Sequence, residues 1–585
     1  MKEYGKVKND MTVADYIFDF VQKKGCERVY MVSGSSAMWL TDALYRNEEL
    51  EAVCCHHEQA AAMAADGYAR VNHVPGACLV TIGPGVTNAI TGIAQAYFDS
   101  TPVFAISGQA NSRLLQYALD SGIRQNACQS MLVEPVVQSI TKYCATIMRP
   151  EDTRRILEEA YYYATAGRPG PVWIDVPVDI QNRQVPEAME GYEPTAEEMD
   201  AIDYASIARI ILEAKKPLIL AGFGVRSAGA AELLELLSNK YQIPVVTSRG
   251  GIDVIASDAP YYVGRPGGYG DRASHFAVQA CDVLLILGSR LSVSTIGYYP
   301  ERLAEHAVKI MVDIDEKELV RDAVPIQHKY RQDAKVFLER LLGQLEGETL
   351  EDHTQWIHFC MENKERYPVV KPEYRAQKPL NAYYFTEQLS VLAPADSNIV
   401  VDTGSVYCMV SQSWKLKRGQ RYLASGGFSS MGSWATAIGA CQAGRQVLAL
   451  SGDGSTQMNI QEFATMAYHK LPVKLFVYNN NGYMLIRHNQ HNYMNDRFLG
   501  VGPDSGLQTP DFCKVAQAYG LTAVRITAED DLRQKLEEVL DMEGPVVCEV
   551  MVQEFAPIEP RIASRVMPDG SLKAAEFDDL YPFLE

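Results

Sequence analysis

No CxxC occurs among the twelve cysteines of this 585-residue chain, and none of their spacings suggests paired metal ligands. Cys54 and Cys55 are the one close pair. Thiols so scattered in a chain this long read as the reduced core residues of a cytosolic protein. Also missing is any run of about 18 consecutive apolar residues, so no membrane span is expected. The start, "MKEYGKVKNDMTVADYIFDF", lacks the apolar stretch of a secretory leader, and the expected location is cytoplasmic. Positive charge is scarce: 54 Lys and Arg against 73 Asp and Glu leave a formal net charge of −19. That argues against a nucleic-acid partner, because non-specific binding to phosphates needs a basic footprint. Short repeats and low-complexity tracts are absent as well.

What is present is apolar content of 47%, ample for several cores, in a length that suits roughly three domains of ~150 residues. A short apolar strand, a glycine-bearing turn and an amphipathic helix recur throughout, the signature of parallel α/β sheets. The first series contains "ERVYMVSG", "ACLVTIGPG" and "TPVFAISGQ". The second contains "KPLILAGFGVRS", "IPVVTSRGG", "DVLLILGSR" and "VKIMVDID", and the third "SNIVVDTGS", "RQVLALSGDGS", "VKLFVYNNNG" and "PVVCEVMV". Two polar connectors, Asn182 to Asp200 and Glu362 to Pro379, carry proline and charge without an apolar period and read as linkers. The expected fold is therefore α/β, with three doubly wound parallel-sheet domains at 1–183, 200–345 and 378–560 and a tail at 561–585.

In "CCHHEQAAAMAADGYAR", Cys54 to Arg70, a single acid, Glu58, heads a segment of alanine, methionine and glycine. The helix dipole alone would favour a glutamate in a first turn. The third series carries more chemistry. In "VLALSGDGSTQMNIQEFATMAYHKLPVKLFVYNNNGY" the strand Val447–Ser451, a helix over Asn459–Tyr468 and the strand Val473–Tyr478 make a right-handed βαβ unit, so both strands end at one sheet edge. Asp453 and the pair Asn479-Asn480 should meet there. A carboxylate, an amide oxygen and a backbone carbonyl are the hard donors that Mg²⁺ takes when phosphate oxygens and water complete its shell. Gly452 and Gly454 leave backbone amides open to a diphosphate.

This pairing of GDG with NN resembles the cofactor motif of the thiamine-diphosphate enzymes. The resemblance implies that Asp453, Asn480 and the backbone of Gly482 hold the metal, with Gly452, Gly454, Ser455 and Asn479 at the cofactor. It also implies that Glu58 is the acid that engages N1′ of the aminopyrimidine, its apolar setting strengthening that one hydrogen bond by desolvation. Nearly the whole chain is covered, and the acetolactate-synthase-like group is the most similar. "TIGPGVTNAITGIAQAYFDSTPVFAISGQ" matches that group's first-domain segment and Gly108-Gln109 turn, and Lys142 in "SITKY" matches a lysine of the group. "GGFSSMGSWATAIGA", with Gly427 and Met431, looks like the loop that holds the cofactor bent, Met431 lying beneath the thiazolium.

In the same group the middle domain often carries FAD without a redox role. "YYVGRPGGYGDRASHFAVQACDVLLILGSRL" resembles that stretch, which implies Gly264, Arg265, Gly268 and Asp313 as flavin contacts. The group's glutamate and metal site come from different subunits, so a homodimer or homotetramer is implied. Several motifs depart from the group. Acetolactate synthases have Arg-Phe-Asp-Asp-Arg where this chain reads Arg290-Leu-Ser-Val-Ser. A Gln-Trp pair is replaced within "MLIRHNQHN", a Leu-Pro turn is replaced by "GSWATA", and the first turn reads "VSGSSAMW". Arg487 and His488 add positive charge suited to an acceptor's carboxylate or phosphate, and Gln109 and Lys142 are further candidates for the substrate pocket. The resulting expectation is a carboligase that decarboxylates a 2-keto acid, pyruvate, and transfers the two-carbon unit to a second carbonyl. Acetyl transfer to a nucleotide-linked keto-sugar, which the C-terminal tail weakly resembles, carbon–carbon hydrolysis, simple decarboxylation and a non-catalytic binding role stand as alternatives.

Overall fold

The computed structural model describes residues 11–195, 197–321, 323–566 and 572–584. The first ten residues of the leader reading, and residues 567–571 and 585 of the tail, lie outside that range. Three six-stranded, all-parallel sheets succeed one another along the chain. The first holds β1 (Arg28–Met31), β2 (Glu51–Cys54), β3 (Gly76–Val80), β4 (Val103–Gln109), β5 (Tyr143–Thr146) and β6 (Val172–Pro177) in the order β2-β1-β3-β4-β6-β5. The second holds β7 (Pro217–Ala221), β8 (Val245–Thr247), β9 (Tyr262–Gly264), β10 (Val283–Leu287), β11 (Val308–Asp313) and β12 (His328–Arg331), ordered β12-β11-β10-β7-β8-β9. The third holds β13 (Asn398–Val401), β14 (Arg421–Ala424), β15 (Val447–Gly452), β16 (Val473–Asn479), β17 (Thr522–Ile526) and β18 (Val546–Met551), ordered β14-β13-β15-β16-β18-β17.

The outer two sheets share one strand order, and the middle sheet has the dinucleotide-fold order. In each, the crevice where the order reverses opens at the C-terminal ends of the strands, the position at which such sheets bind ligands. Both faces of each sheet are covered, so strands such as β3 are buried at every residue and read as unbroken apolar runs. Among the described residues no helix is long and apolar enough to cross a membrane. A short antiparallel pair, β19 (Ser564–Val566) and β20 (Leu572–Ala574), belongs to the tail. That tail lies against the middle domain, where Phe577 stacks on His275 with centroids 4.2 Å apart and Arg272 donates to the Leu580 carbonyl.

The helix α1 (Glu58–Asn72) explains its own composition. It runs between the first sheet, the helix α2 (Pro84–Phe98) and residues 433–439 of the third domain. A Cβ on Gly67 would lie 2.1 Å from the Thr436 carbonyl oxygen, and one on Gly439 would lie 1.7 Å from that of Ala64. Backbones this close admit only small residues, and Ala60 through Ala65 are fully buried. The alanine run is thus the contact surface between the first and third domains.

Candidate active site and a three-domain cavity

Parallel pairing of β15 with β16 sets Gly452 beside Tyr478, which brings Asp453 next to the Asn479-Asn480 turn. A short helix follows β15 at once, at Asp453–Gln457, and the helix read over Asn459–Tyr468 is present as Ile460–Glu462 and Phe463–His469. Asp453 is almost fully buried. Its Oδ1 accepts from the Gly454 N–H and its Oδ2 from the Gly482 N–H, both at 2.8 Å. Burial pushes its carboxyl up to about 6, against those hydrogen bonds and the charge of Arg487. Asn480 is 3% exposed and its Oδ1 is buried with no partner. An unpaired buried acceptor costs about 1–3 kcal/mol, and a hard cation beside Asp453 would remove that cost. Gly482 has φ +134°, and a Cβ there would meet the Val501 carbonyl at 2.1 Å. These donors fit Mg²⁺.

Other residues of this loop brace it. Gly454 lies under the Tyr483 ring, where a Cβ would come within 2.0 Å of a ring carbon. Ser455 Oγ accepts from the Gly432 N–H at 3.1 Å. Asn479 spends its amide on Glu549 and on the Asn481 N–H, so it ties the turn to β18. The Arg487 guanidinium donates to four carbonyls, those of Asn480, Asn481, Val501 and Glu554. His488 donates to the Ala556 carbonyl at 2.7 Å and stacks on Phe555. The structure therefore engages Nη1 and Nη2 of Arg487 and Nε2 of His488 in holding the loop.

The segment from Ala424 to Ser433 connects this loop to the first domain. Arg70 donates to the Ala424 carbonyl, and the Gly427 N–H donates to Asp99 at 2.7 Å. Gln59, next to Glu58, reaches the Met431 carbonyl at 3.5 Å. Beyond it, Ser433 and Ser451 both donate to Asp402, whose carboxyl burial pushes up. Asp402 was missed in the sequence, although "VVDTGS" ends a strand on Asp much as "ALSGDG" does. Glu58 opens α1 behind the cap His57. The preceding His56 N–H is held by Glu462 of the third domain at 3.1 Å. Glu58 is 9% exposed, and Oε2 accepts from Asn88 at 2.9 Å.

Where the three domains meet there is a cavity of about 270 Å³. Arg168 and Asp99 of the first domain, Arg249, Arg290 and Asp313 of the middle one and Tyr407 of the third are among its walls. Arg249 is 7% exposed, lies 3.9 Å over the Tyr407 ring, and has one guanidinium nitrogen, Nη2, without a partner. Asp313, at the end of β11, is pushed up to about 6 by burial. A buried guanidinium with one unpartnered nitrogen and a carboxylate at a strand terminus, both on the cavity wall, are groups of the kind that take a dinucleotide's phosphates and ribose.

Asp313 lines the cavity, whereas Gly264, Arg265 and Gly268 do not. Arg265 donates to the carbonyls of Ser411 and Trp414, a Cβ on Gly264 would collide with Asp271, and Gly268 pairs with Ser294 and Ile562. Arg265 thereby holds the middle domain to the third domain and Gly268 holds it to the tail. Gln109 and Lys142 are also structural. Gln109 is fully buried and donates to Asp175. Lys142, whose pKa burial lowers to about 8, donates to the carbonyls of Ala166 and Arg168. Arg249 escaped the sequence reading because nothing in "TSRGG" announces a cavity.

Comparison with known proteins matches three family models: the N-terminal TPP binding domain of thiamine pyrophosphate enzymes over residues 11–134, their central domain over 204–341 and their C-terminal TPP binding domain over 402–550. The chain is 33% identical to a probable acetolactate synthase large subunit of Methanocaldococcus jannaschii, across 97% of this chain and 98% of that protein. It is 31% identical to the acetolactate synthase isozyme 2 large subunit of Escherichia coli, across 94% and 97%. Against the acetolactate synthase large subunit of Lactococcus lactis identity is 30%, across 96% of each chain.

Proposed function

The chain belongs to the acetolactate synthase family of thiamine pyrophosphate enzymes, and from that premise we propose that it condenses two pyruvates to acetolactate. It is a thiamine-diphosphate-dependent carboligase. Two pyruvate anions and one proton give one acetolactate anion and CO₂, so the reaction needs no external oxidant or reductant. Thiamine diphosphate, when bound, supplies a carbon nucleophile and a sink for the electron pair released with CO₂.

The observation that carries the proposal is the unpaired Oδ1 of Asn480 beside Asp453. Asp453, Asn480 and the Gly482 carbonyl would hold Mg²⁺, and the backbone of Gly452 to Ser455 would take the diphosphate. Met431 would lie beneath the ring, its loop fixed at both ends by Arg70 and Asp402. Glu58 would hold and move the proton at N1′. The family resemblance supports a site completed by a second copy of the chain. Arg249 and Asp313 on the wall of the three-domain cavity support FAD as a second cofactor, which would order the three-domain junction.

Incubating the purified protein with thiamine diphosphate, Mg²⁺ and pyruvate, and following the mixture by NMR, tests the reading. CO₂ and acetolactate are expected. Unconsumed pyruvate would overturn it, and CO₂ with acetaldehyde alone would replace carboligation by simple decarboxylation.

A further inference from the structure

Three residues of α2 face the start of α1. A Cβ on Gly92 would come within 2.5 Å of the Ala62 side chain and 2.9 Å of the Gln59 carbonyl, so the absence of a side chain there lets the two helices touch. One turn earlier on the same face of α2, Asn88 reaches Glu58 and donates to its Oε2 at 2.9 Å. Nearly one turn earlier again, Gly85 presents no side chain, and its Cβ position lies 3.6 Å from Oε1. The two carboxylate oxygens therefore differ. Oε2 is committed to the Asn88 amide nitrogen, which can only donate, and Oε1 lies over the Gly85 backbone beside Thr81.

We propose that Asn88 is the positioning residue of the Glu58 acid, holding Oε2 so that the proton exchanged with the pyrimidine resides on Oε1. The inference rests on the assignment of Glu58 made above. Its chemistry is that of an oriented carboxyl. A carboxylate with one oxygen fixed by a donor presents the other at a defined angle, and a proton on Oε2 would oppose the Asn88 N–H. A freely rotating glutamate would spend part of its time with no oxygen aimed at N1′, which weakens both binding and proton transfer. Asn88 itself is exposed in the single chain, so changing it removes no core contact.

The test measures binding. Calorimetric affinities, with Mg²⁺ present, are compared for thiamine diphosphate and for the analogue in which N1′ is replaced by C–H. The wild-type protein should prefer the natural cofactor, and Glu58→Gln should lose most of that preference. If Asn88 orients the acid, Asn88→Ala should lower the preference by about tenfold, equivalent to about 1.4 kcal/mol, with an unchanged melting temperature. Asn88→Asp should lower it further near neutral pH and regain it on acidification, since two facing carboxylates repel until one holds a proton and can donate. A merely structural role would not produce that pH-dependent recovery. Full preference in Asn88→Ala, or no pH dependence in Asn88→Asp, would overturn the inference alone. Full preference in Glu58→Gln would instead overturn the assignment on which it rests.

Discussion

The main-chain N–H of Gly482 donates to Oδ2 of Asp453 at 2.8 Å, joining the turn after β16 to the end of β15. The bond makes Asp453 a structural acceptor as well as a proposed metal ligand, whereas Asn480 Oδ1 has no protein partner. Asn480→Ala should therefore leave the melting temperature of the cofactor-free protein unchanged or slightly raised, while weakening Mg²⁺-thiamine diphosphate binding about tenfold or more. Asp453→Ala should lower both. Calorimetry beside thermal denaturation checks this, and equal behaviour of the two variants would count against the metal site.

Gly454 and Tyr483 make a second pair. Because a Cβ at 454 would come within 2.0 Å of the ring, Gly454→Ala should destabilise the protein by about 1–3 kcal/mol, the usual cost of overpacking, and abolish cofactor binding. Adding Tyr483→Leu should restore much of the stability. Failure of that rescue, read by chemical denaturation, would place the strain elsewhere.

Arg487 donates to four carbonyls around the turn at residues 479–482, which supports a role in holding that turn rather than in contacting one substrate. Arg487→Met should depress CO₂ release and coupled product by the same factor, about tenfold or more, and weaken Mg²⁺ affinity. Loss confined to the coupled product would return Arg487 to the acceptor pocket.

Arg249 Nη2 is an unpartnered donor on the wall of the three-domain cavity. Titration with FAD, followed by quenching of flavin fluorescence, should show saturable binding to the wild type and about tenfold weaker binding to Arg249→Met, as expected for loss of a charge-assisted hydrogen bond. No binding to either protein would remove FAD from the cavity.

Burial pushes Asp175 up to about 7, although Ser107 and Gln109 both donate to it. In the unfolded chain an aspartate titrates at about 3.9. Across that window the folded protein keeps a proton that the unfolded chain has released, so this residue's contribution to stability falls as pH rises from about 4 to about 7 and is level above. Wild type should lose up to about 4 kcal/mol over the window relative to Asp175→Asn. Parallel stability curves for the two proteins would refute the shift.

Much of the site was legible because it is built from local runs. A strand ending in Gly452-Asp453-Gly454 and the next ending in Asn479-Asn480 have to meet in any right-handed βαβ unit, and β15 and β16 do pair in parallel. The substrate contacts read for Arg487, His488, Gln109 and Lys142 were less secure, since residue type says nothing about which donors are already spent. In each case nearby carbonyls, or a buried carboxylate, take the polar hydrogens first. The same holds for Arg265, whereas Asp313 could be placed because a strand terminus fixes it at the sheet edge.

Periodicity and turn chemistry, which act over a few residues, determined by themselves the three α/β units, the meeting of Asp453 with the Asn479-Asn480 turn and the glutamate at the head of α1. Tertiary structure alone decided what depends on distant segments meeting. The alanine run of α1 is a seam against Thr436 and Gly439. Asn88 comes to Glu58 because Gly92 lets two helices touch, and Arg249 acquires a cavity only when the third domain brings Tyr407 beneath it. Those contacts join residues tens to hundreds of positions apart, and no local pattern encodes which side chain a neighbouring domain will leave without a partner.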